Sequence, residues 1–422
     1  NGGSGGGAAG SPRPSARARM IAGGVVGVVA LSLLGFGTWA ALNAGGDVAE
    51  AGSGAKPTPT PTQTEPEPSE APTPTEPTGP IRMLAMGEMV AHESVSENAK
   101  TPAGGYDFAP LFAELDPLLG DADATFCAQP IPSAGVDFGI AGFPQYNAPT
   151  EFATTLSDTV GCDLVSLAGP NAADRGADGI RATLDAWQQT EPKIVSGTNR
   201  TPEEQRGVQY GEVRGVKTAL VSFTERLNQV TDAGLVNFVG DTQLVTDLIT
   251  EARANADVVL VAANWGEEGT SELAQRQRNF AQLVSDLGAD MILGTGSHVI
   301  QPVEWLDRPD GGRTLVWYSL GSLMGTPLSL PERIGAVASV ELVPDGEGWT
   351  VANPSATLTY LHYAWTPEQQ AANELLARTG LKAVPLAGAQ ALLDEDRWGT
   401  TVQAETERIA GILGPDVAIN AG

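Results

Sequence analysis

"DVVLVAANWG" (257–266) and "DMILGT" (290–295) are short apolar runs, separated by an amphipathic stretch at 271–287. Each run is long enough for a buried strand, and the stretch between them has the length and apolar spacing of a helix. A strand, a helix and a second strand in this order predict a parallel unit whose sheet is covered on both faces.

The same alternation runs through residues 81–363, which we predict to form one domain. It predicts an α/β fold, a layered sandwich of mixed β-sheets flanked by helices. The predicted strands are 82–87, 124–128, 162–169, 216–223, 257–266, 290–295 and 314–322, and the predicted helices are 107–119, 150–160, 178–189, 242–255 and 271–287. Residues 338–361 predict an antiparallel hairpin that turns at Asp345-Gly346. Residues 364–422 predict a C-terminal helical extension packed on the domain.

Three segments of different composition precede the predicted domain. Residues 1–19 are rich in Gly, Ser, Ala and Pro and predict a disordered cytoplasmic segment. Residues 20–42 carry no charge and would span roughly 35 Å as a helix, which predicts a single-pass transmembrane signal-anchor. A cleaved signal peptide, cut near Ala41 or Ala44, is the alternative. Residues 43–80 predict a Pro/Thr/Glu-rich extracytoplasmic linker.

The charge balance limits the classes of partner. The chain has 24 Lys and Arg against 51 Asp and Glu, a formal net charge of −27. Such a surface repels nucleic acid, so we expect no nucleic-acid partner.

The only cysteines are Cys127 and Cys162, and the sequence leaves open a disulfide or two buried thiols. Both the signal-anchor and the cleaved signal peptide predict that the domain lies outside the cytoplasm. If residues 20–42 are an anchor, the N-terminus of the chain is expected in the cytoplasm.

Polar residues stand at the ends of five predicted strands. In open α/β folds ligands bind beyond the carboxyl ends of the strands, so these residues predict one shared cleft. The predicted cleft residues are Glu88, Gln129, Asn171, Asn264, Trp265, Thr295, Ser297 and His298. Two roles stay open for Trp265: stacking on a sugar at the rim, or packing in the scaffold. His92 is expected to be a loop histidine, either on the surface or at the cleft rim, and His362 is expected to be a packing or structural residue.

Several separated motifs carry a family resemblance. In order they are Tyr106-Asp107-Phe108, Asp174-Arg175-Gly176, Trp265-Gly266, Gln301-Pro302-Val303-Glu304 and Ser319-Leu320-Gly321. From about residue 81 to residue 325 the chain resembles the capsule/poly-γ-glutamate synthesis protein CapA family. The resemblance implies a fold like that of the calcineurin-like metallophosphoesterases and a setting in cell-envelope or capsule polymer metabolism.

The chain departs from that family at most of the metal-ligand positions. Glu88 replaces an Asp, Gln129 replaces a Glu, Asn264 replaces a His, and Gly169-Pro170-Asn171 replaces Asn-Asn-His, leaving His298 as the surviving histidine. Amide oxygens are neutral and weak ligands, so two tightly bound metal ions are not expected. We expect no cofactor, with one weakly bound Mg²⁺ or Mn²⁺ as the alternative.

These observations predict a membrane-anchored extracytoplasmic protein that binds or assists an envelope polymer without hydrolysing it. Its expected partners are the membrane, through one helix, and an anionic or glycan envelope polymer or the export machinery. The alternative is an active metal-dependent hydrolase with a divergent single-metal site, in which His298 and Glu88 would be catalytic.

Overall fold

A computed structural model describes residues 79–228, 233–346 and 348–421. The predicted segments 1–19, 20–42 and 43–80 lie outside these residues, apart from residues 79 and 80 at the end of the linker. Within the described ranges, no helix has the length and apolar character needed to cross a membrane.

The strands of the described residues fall into two sheets. In chain order they are β1 (Ile81–Met89), β2 (Ala124–Ala128), β3 (Leu164–Ser166), β4 (Ile194–Ser196), β5 (Gln209–Val213), β6 (Val216–Thr224), β7 (Val258–Asn264), β8 (Met291–Thr295), β9 (Val303–Asp307), β10 (Arg313–Trp317), β11 (Ser322–Met324), β12 (Ile334–Asp345), β13 (Gly348–Ala364), β14 (Thr379–Pro385) and β15 (Ala418–Asn420). The α-helices are α1 (Glu93–Asn98), α2 (Asp116–Leu119), α3 (Thr150–Asp158), α4 (Gly176–Gln188), α5 (Thr242–Asn255), α6 (Gln275–Asp286), α7 (Leu330–Arg333), α8 (Pro367–Ala371), α9 (Gln390–Glu395) and α10 (Val402–Leu413).

Both sheets mix parallel and antiparallel pairs. The first has the order β14-β13-β12-β1-β2-β3-β4, with β11 paired to β1 and β15 paired to β13. Its β12–β13 hairpin turns at the predicted position, since Asp345 pairs with Gly348. The second sheet has the order β5-β6-β7-β8-β10-β9, parallel from β6 to β10 with an antiparallel strand at each edge.

Alternation along the strands places apolar side chains on both faces of each sheet. On β1, Met83 and Ala85 face the second sheet, while Leu84 and Met86 face the outer helices. The layer between the sheets buries side chains from both of them. Helices α3 and α4 cover the first sheet, and α5 and α6 cover the second. The predicted sandwich of mixed sheets flanked by helices is therefore confirmed.

The C-terminal segment differs from its prediction. Residues 364–422 contain helices α8, α9 and α10, but β14 and β15 also pair with the long strand β13. Leu381 and Ala383 of β14 are buried against the outer core of the first sheet. The segment is thus not a helical extension, since two of its elements are strands of the first sheet. These strands, β14 and β15, supply hydrogen-bonding partners that β13 would otherwise lack.

A disulfide joins Cys127 to Cys162, whose Cα atoms are 5.6 Å apart. Cys127 lies on β2, and Cys162 lies two residues before β3, the parallel neighbour of β2. Both residues are buried. Of the two alternatives left open by the sequence, the structure has the disulfide.

Candidate functional site

A cleft of about 560 Å³ opens where β1 and β7 and the turn after β8 meet. It contains four of the predicted cleft residues, Glu88, Asn171, Asn264 and His298. His92 also lines the cleft, which is the rim position among the two alternatives left open for it. Strand ends from both sheets therefore meet in one site, as the sequence predicts.

Glu88 lies at the floor of the cleft and is only 2% exposed. At Glu88 the backbone of β1 passes close to the turn before β11. The backbone N–H of Glu88 donates a hydrogen bond of 2.9 Å to the carbonyl of Gly321 in that turn. The preceding residue has to be glycine, since a Cβ on Gly87 would lie 2.4 Å from that same carbonyl oxygen. The close approach holds the Glu88 carboxylate inside the cleft.

His298 contacts this carboxylate from the turn after β8. Its Nδ1 lies 2.8 Å from Oε2 of Glu88. The backbone of His298 has a φ of +62°, an uncommon conformation for a residue with a side chain. Backbone strain of this kind is found mostly where the surrounding structure holds a functional residue in place.

Asn264, at the end of β7, completes the contacts of Glu88. Its Nδ2 donates to Oε1 of Glu88 at 2.7 Å and to Oγ1 of Thr295 at 3.2 Å. Thr295 is therefore one layer behind the cleft, where it holds Asn264 in place. Both oxygens of Glu88 are engaged by other side chains of the site.

The charges of these groups follow from their contacts. Burial by itself raises the pKa of Glu88. The positive charge of His298 and the hydrogen bond from Asn264 outweigh this effect, and the pKa of Glu88 lies below its usual value. Burial lowers the pKa of His298, but the Glu88 carboxylate raises it to about 9. At neutral pH Glu88 and His298 are therefore an ion pair.

His92 stays neutral beside this pair. Burial and the positive charges of His298 and Arg378 lower the pKa of His92 to about 4. Its Nδ1 accepts a hydrogen bond of 3.1 Å from the backbone N–H of Thr326. In the neutral ring the proton is consequently on Nε2.

Two of the predicted cleft residues, Gln129 and Ser297, do not line the cleft. Gln129 is fully buried, where Nε2 donates to the carbonyl of Ile131 and Oε1 accepts from Trp187. Ser297 is also buried and donates to the carbonyl of Val299. These two predictions are wrong, because each polar group is used by a neighbouring backbone or core residue.

The stacking role for Trp265 is wrong as well. Trp265 is 1% exposed, packs on Tyr318 and Phe280, and donates from Nε1 to the carbonyl of Tyr318 at 2.7 Å. It therefore belongs to the scaffold, which was the other interpretation. His362 is structural as expected: it is buried on β13, with Nδ1 3.2 Å from Oδ2 of Asp396.

The residues present do not fit a pair of divalent ions. A two-metal site needs several carboxylates and imidazoles with free lone pairs. Here Glu88 and His298 engage each other, and Asn171 is tied to Asp174 by a hydrogen bond of 2.7 Å. Across the described parts of the chain, no group of three or more His, Cys, Asp and Glu residues is arranged to hold an ion.

The cleft also contains residues that the sequence analysis missed, notably Arg226, Tyr146 and Arg378. Arg226 comes two residues after the end of β6, so the strand-end rule could have found it. Arg378 lies just before β14, in a segment predicted to be helical, and no sequence pattern pointed to it.

Comparison with known proteins identifies the family. The model of the family described as "Bacterial capsule synthesis protein PGA_cap" matches residues 82–326, more than half of the chain. The chain belongs to the PGA_cap family. The resemblance to the CapA family inferred from the sequence motifs is thereby confirmed.

Two curated relatives are similar to this PGA_cap chain. The PGA biosynthesis protein CapA of Bacillus subtilis (strain 168) is 29% identical over 189 residues, which is 44% of this chain and 48% of the relative. The capsule biosynthesis protein CapA of Bacillus anthracis is 27% identical over 171 residues, 39% of this chain and 40% of the relative. The chain therefore matches about half or less of the length of these relatives.

Solved structures show a coarser likeness. A hypothetical protein from Thermus thermophilus is 18% identical, with a TM-score of 0.39 over 66% of this chain and 99% of the other. The calcineurin-like phosphoesterase YfkN from Bacillus subtilis is 14% identical, with a TM-score of 0.38 over 67% of this chain and 91% of the other.

Proposed function

We propose that this PGA_cap chain is a non-catalytic accessory protein of capsule polymer metabolism, which binds an anionic polymer of the poly-γ-glutamate type. Membership of a capsule synthesis family supports the setting. The relative from Bacillus subtilis, named for PGA biosynthesis, supports the polymer class.

The ion pair between Glu88 and His298 is the observation that carries the non-catalytic part of the proposal. Hydrolysis by a metal centre needs ligands that are free to hold an ion and activate water. Glu88 instead holds His298 at 2.8 Å and Asn264 at 2.7 Å. The cleft is thus arranged around its own internal charges, while its open volume of about 560 Å³ is adequate for a polar ligand.

The proposal also places the domain outside the cytoplasm, anchored by residues 20–42. The disulfide between Cys127 and Cys162 supports this location, because disulfides persist mainly in oxidising compartments. The uncharged run at 20–42 and the Pro-rich segment after it support an anchor followed by an extended spacer.

One observation favours the alternative, a hydrolase with a single hard ion. Apart from the ion pair with His298, Oε2 of Glu88 accepts no hydrogen bond from the residues that the structure describes. A carboxylate oxygen of this kind is a ligand that Mg²⁺ or Mn²⁺ prefers.

Three measurements on the purified full chain separate these functions: metal content after dialysis against Mg²⁺ or Mn²⁺, phosphodiester hydrolysis, and binding of poly-γ-glutamate by isothermal titration calorimetry. The proposal predicts saturable polymer binding, less than stoichiometric metal and no turnover. Stoichiometric metal with turnover that His298→Ala abolishes would establish the hydrolase instead. Failure to bind any anionic polymer would overturn the binding function.

A further inference from the structure

Arg378 is a buried cation without an acidic partner among the described residues. It is 6% exposed, yet it lines the cleft. Its Nε donates to the carbonyl of Leu375 at 2.7 Å, and its Nη1 donates to the carbonyl of Thr326. The neighbouring buried arginine, Arg333, has the opposite arrangement, because Asp396 pairs with it at 3.1 Å. A buried charge is costly unless it is paired, so Arg378 lacks a counter-ion that a ligand can supply.

Aromatic rings hold the guanidinium of Arg378 in a fixed position. Its Cζ lies 5.5 Å from the ring centre of Tyr363 and 5.3 Å from that of Trp365. Trp365 is itself fixed, because Nε1 donates to the carbonyl of Glu374 at 3.1 Å. Arg378 is therefore pre-organised, which lowers the entropic cost of binding an anion.

His92 supplies a second donor on the same wall of the cleft. The backbone of Thr326 links the two residues, because its N–H donates to Nδ1 of His92 and its carbonyl accepts from Arg378. The neutral His92 therefore carries its proton on Nε2, and no described residue accepts a hydrogen bond from that nitrogen. A fixed guanidinium and an imidazole N–H are suited to the two oxygens of one carboxylate.

We infer that Arg378 and His92 form an anion subsite, which binds one carboxylate group of an acidic ligand at this wall of the cleft. The polymer identity rests on the proposed function, whereas the subsite itself rests on the contacts of the two side chains. Arg378 lies beyond residue 326, where the family match ends, so the subsite depends on a segment that the family model does not cover. In a chain of net charge −27, a buried local cation offsets the long-range repulsion of a polyanion.

Calorimetric titration of the full chain tests the subsite with four probes: a linear γ-linked glutamate oligomer, its uncharged methyl ester, glutarate and inorganic phosphate. We expect the oligomer and glutarate to bind and the ester not to bind. Arg378→Gln should weaken the binding of both carboxylate probes by about 10- to 100-fold. Arg313→Gln is the matched control, because Arg313 also stacks on a tryptophan, at 4.5 Å from Trp305, but does not line the cleft.

A second variant covers the case in which Arg378→Gln does not fold, as judged by thermal unfolding. His92→Asn keeps an acceptor for the N–H of Thr326 and removes the Nε2 donor, so it should weaken glutarate binding by several-fold.

Unchanged glutarate binding in a folded variant overturns the subsite, even if the oligomer still binds elsewhere and the proposed function stands. Glutarate binding that depends on Arg378, without oligomer binding, supports the subsite and overturns the proposed function. Binding of phosphate in preference to glutarate overturns the carboxylate assignment, and binding of neither probe overturns the subsite.

Discussion

Glu88 determines how the charges of the cleft are arranged, because its carboxylate contacts both the imidazolium of His298 and the side-chain amide of Asn264. His298 lies 2.8 Å from one of its oxygens, and Asn264 donates to the other at 2.7 Å. An aspartate here would be one methylene shorter, and the same backbone position would not bring its carboxylate to the same contacts. The glutamate thus suits a site that pairs its own charges.

Removal of this charge should destabilise the fold. In Glu88→Gln the partly buried His298 loses its counter-ion, so we expect the free energy of unfolding to fall by about 1–3 kcal/mol. Urea unfolding of the full chain measures this change in the free energy of unfolding. Glu203→Gln, at an exposed position, is the control and should change stability by less than about 0.5 kcal/mol. Equal stability of Glu88→Gln and the wild type would mean that the ion pair is not formed.

The sequence predicted which strand ends meet, but not which way each side chain points. Glu88, Asn264 and His298 meet because parallel strands end at one edge of each sheet. Gln129 follows a strand in the same way, yet its amide turns back to the carbonyl of Ile131. That choice depends on local hydrogen bonding after the strand, and residue spacing carries no information about it.

At the scale of elements, strand β8 requires a residue without a side chain where it passes Tyr318. A Cβ on Gly294 would lie 2.0 Å from the carbonyl oxygen of Tyr318, which is backbone and cannot rotate away. Gly294→Ala should therefore lower the free energy of unfolding by more than about 3 kcal/mol, measured by urea unfolding. Gly411→Ala in α10 meets no atom within 4 Å and should be neutral or stabilising. Similar effects of the two substitutions would contradict the packing of β8.

The disulfide between β2 and the start of β3 should contribute to stability through the unfolded state. Its cysteines are 35 residues apart in the chain, and a loop of this length predicts a loss of about 2–4 kcal/mol when the bond is removed. Unfolding midpoints of the wild type with and without dithiothreitol measure this loss. The Cys127→Ala/Cys162→Ala double variant should unfold at the same midpoint in both conditions. A wild-type midpoint that the reductant does not shift would contradict the bond.

Elements with a clear apolar period could be predicted, and those that depend on distant partners could not. Helix α5 begins and ends as predicted, because its apolar face repeats over the whole length. The predicted helix 107–119 is instead a series of short turns with α2 at its end, since Pro110 and Pro117 each lack a backbone donor. The predicted strand 314–322 ends at Trp317, and β11 forms after Gly321 to pair with β1 of the other sheet.

For the molecule as a whole, the C-terminal segment is part of the core and of the cleft. Ile409 and Leu413 of α10 belong to the same buried apolar cluster as side chains from both sheets, and Arg378 lines the cleft. Residues beyond the family match at 326 therefore contribute to the same core and the same cleft as the matched residues. The long strand β13 connects the two parts, because it pairs with β12 on one side and β14 on the other.

Truncation of a single side chain in this segment tests the role of the segment. Leu413 is 1% exposed, so Leu413→Ala should lower the free energy of unfolding by about 2–4 kcal/mol. Leu376→Ala is the matched control, because Leu376 is 49% exposed and should contribute less than about 0.5 kcal/mol. Thermal unfolding of both variants measures the difference. A near-neutral Leu413→Ala would show that the segment is not part of the main core.

The central claim is that Glu88 and His298 hold each other in a cleft that does not bind a pair of divalent ions. Crystals of the full chain grown with Mn²⁺ test this claim directly, by anomalous scattering recorded at the manganese edge. The account predicts no fully occupied manganese peak in the cleft and an intact contact between Nδ1 of His298 and Glu88. Two full-occupancy peaks beside these residues, with the histidine turned away from the glutamate to coordinate them, would contradict it.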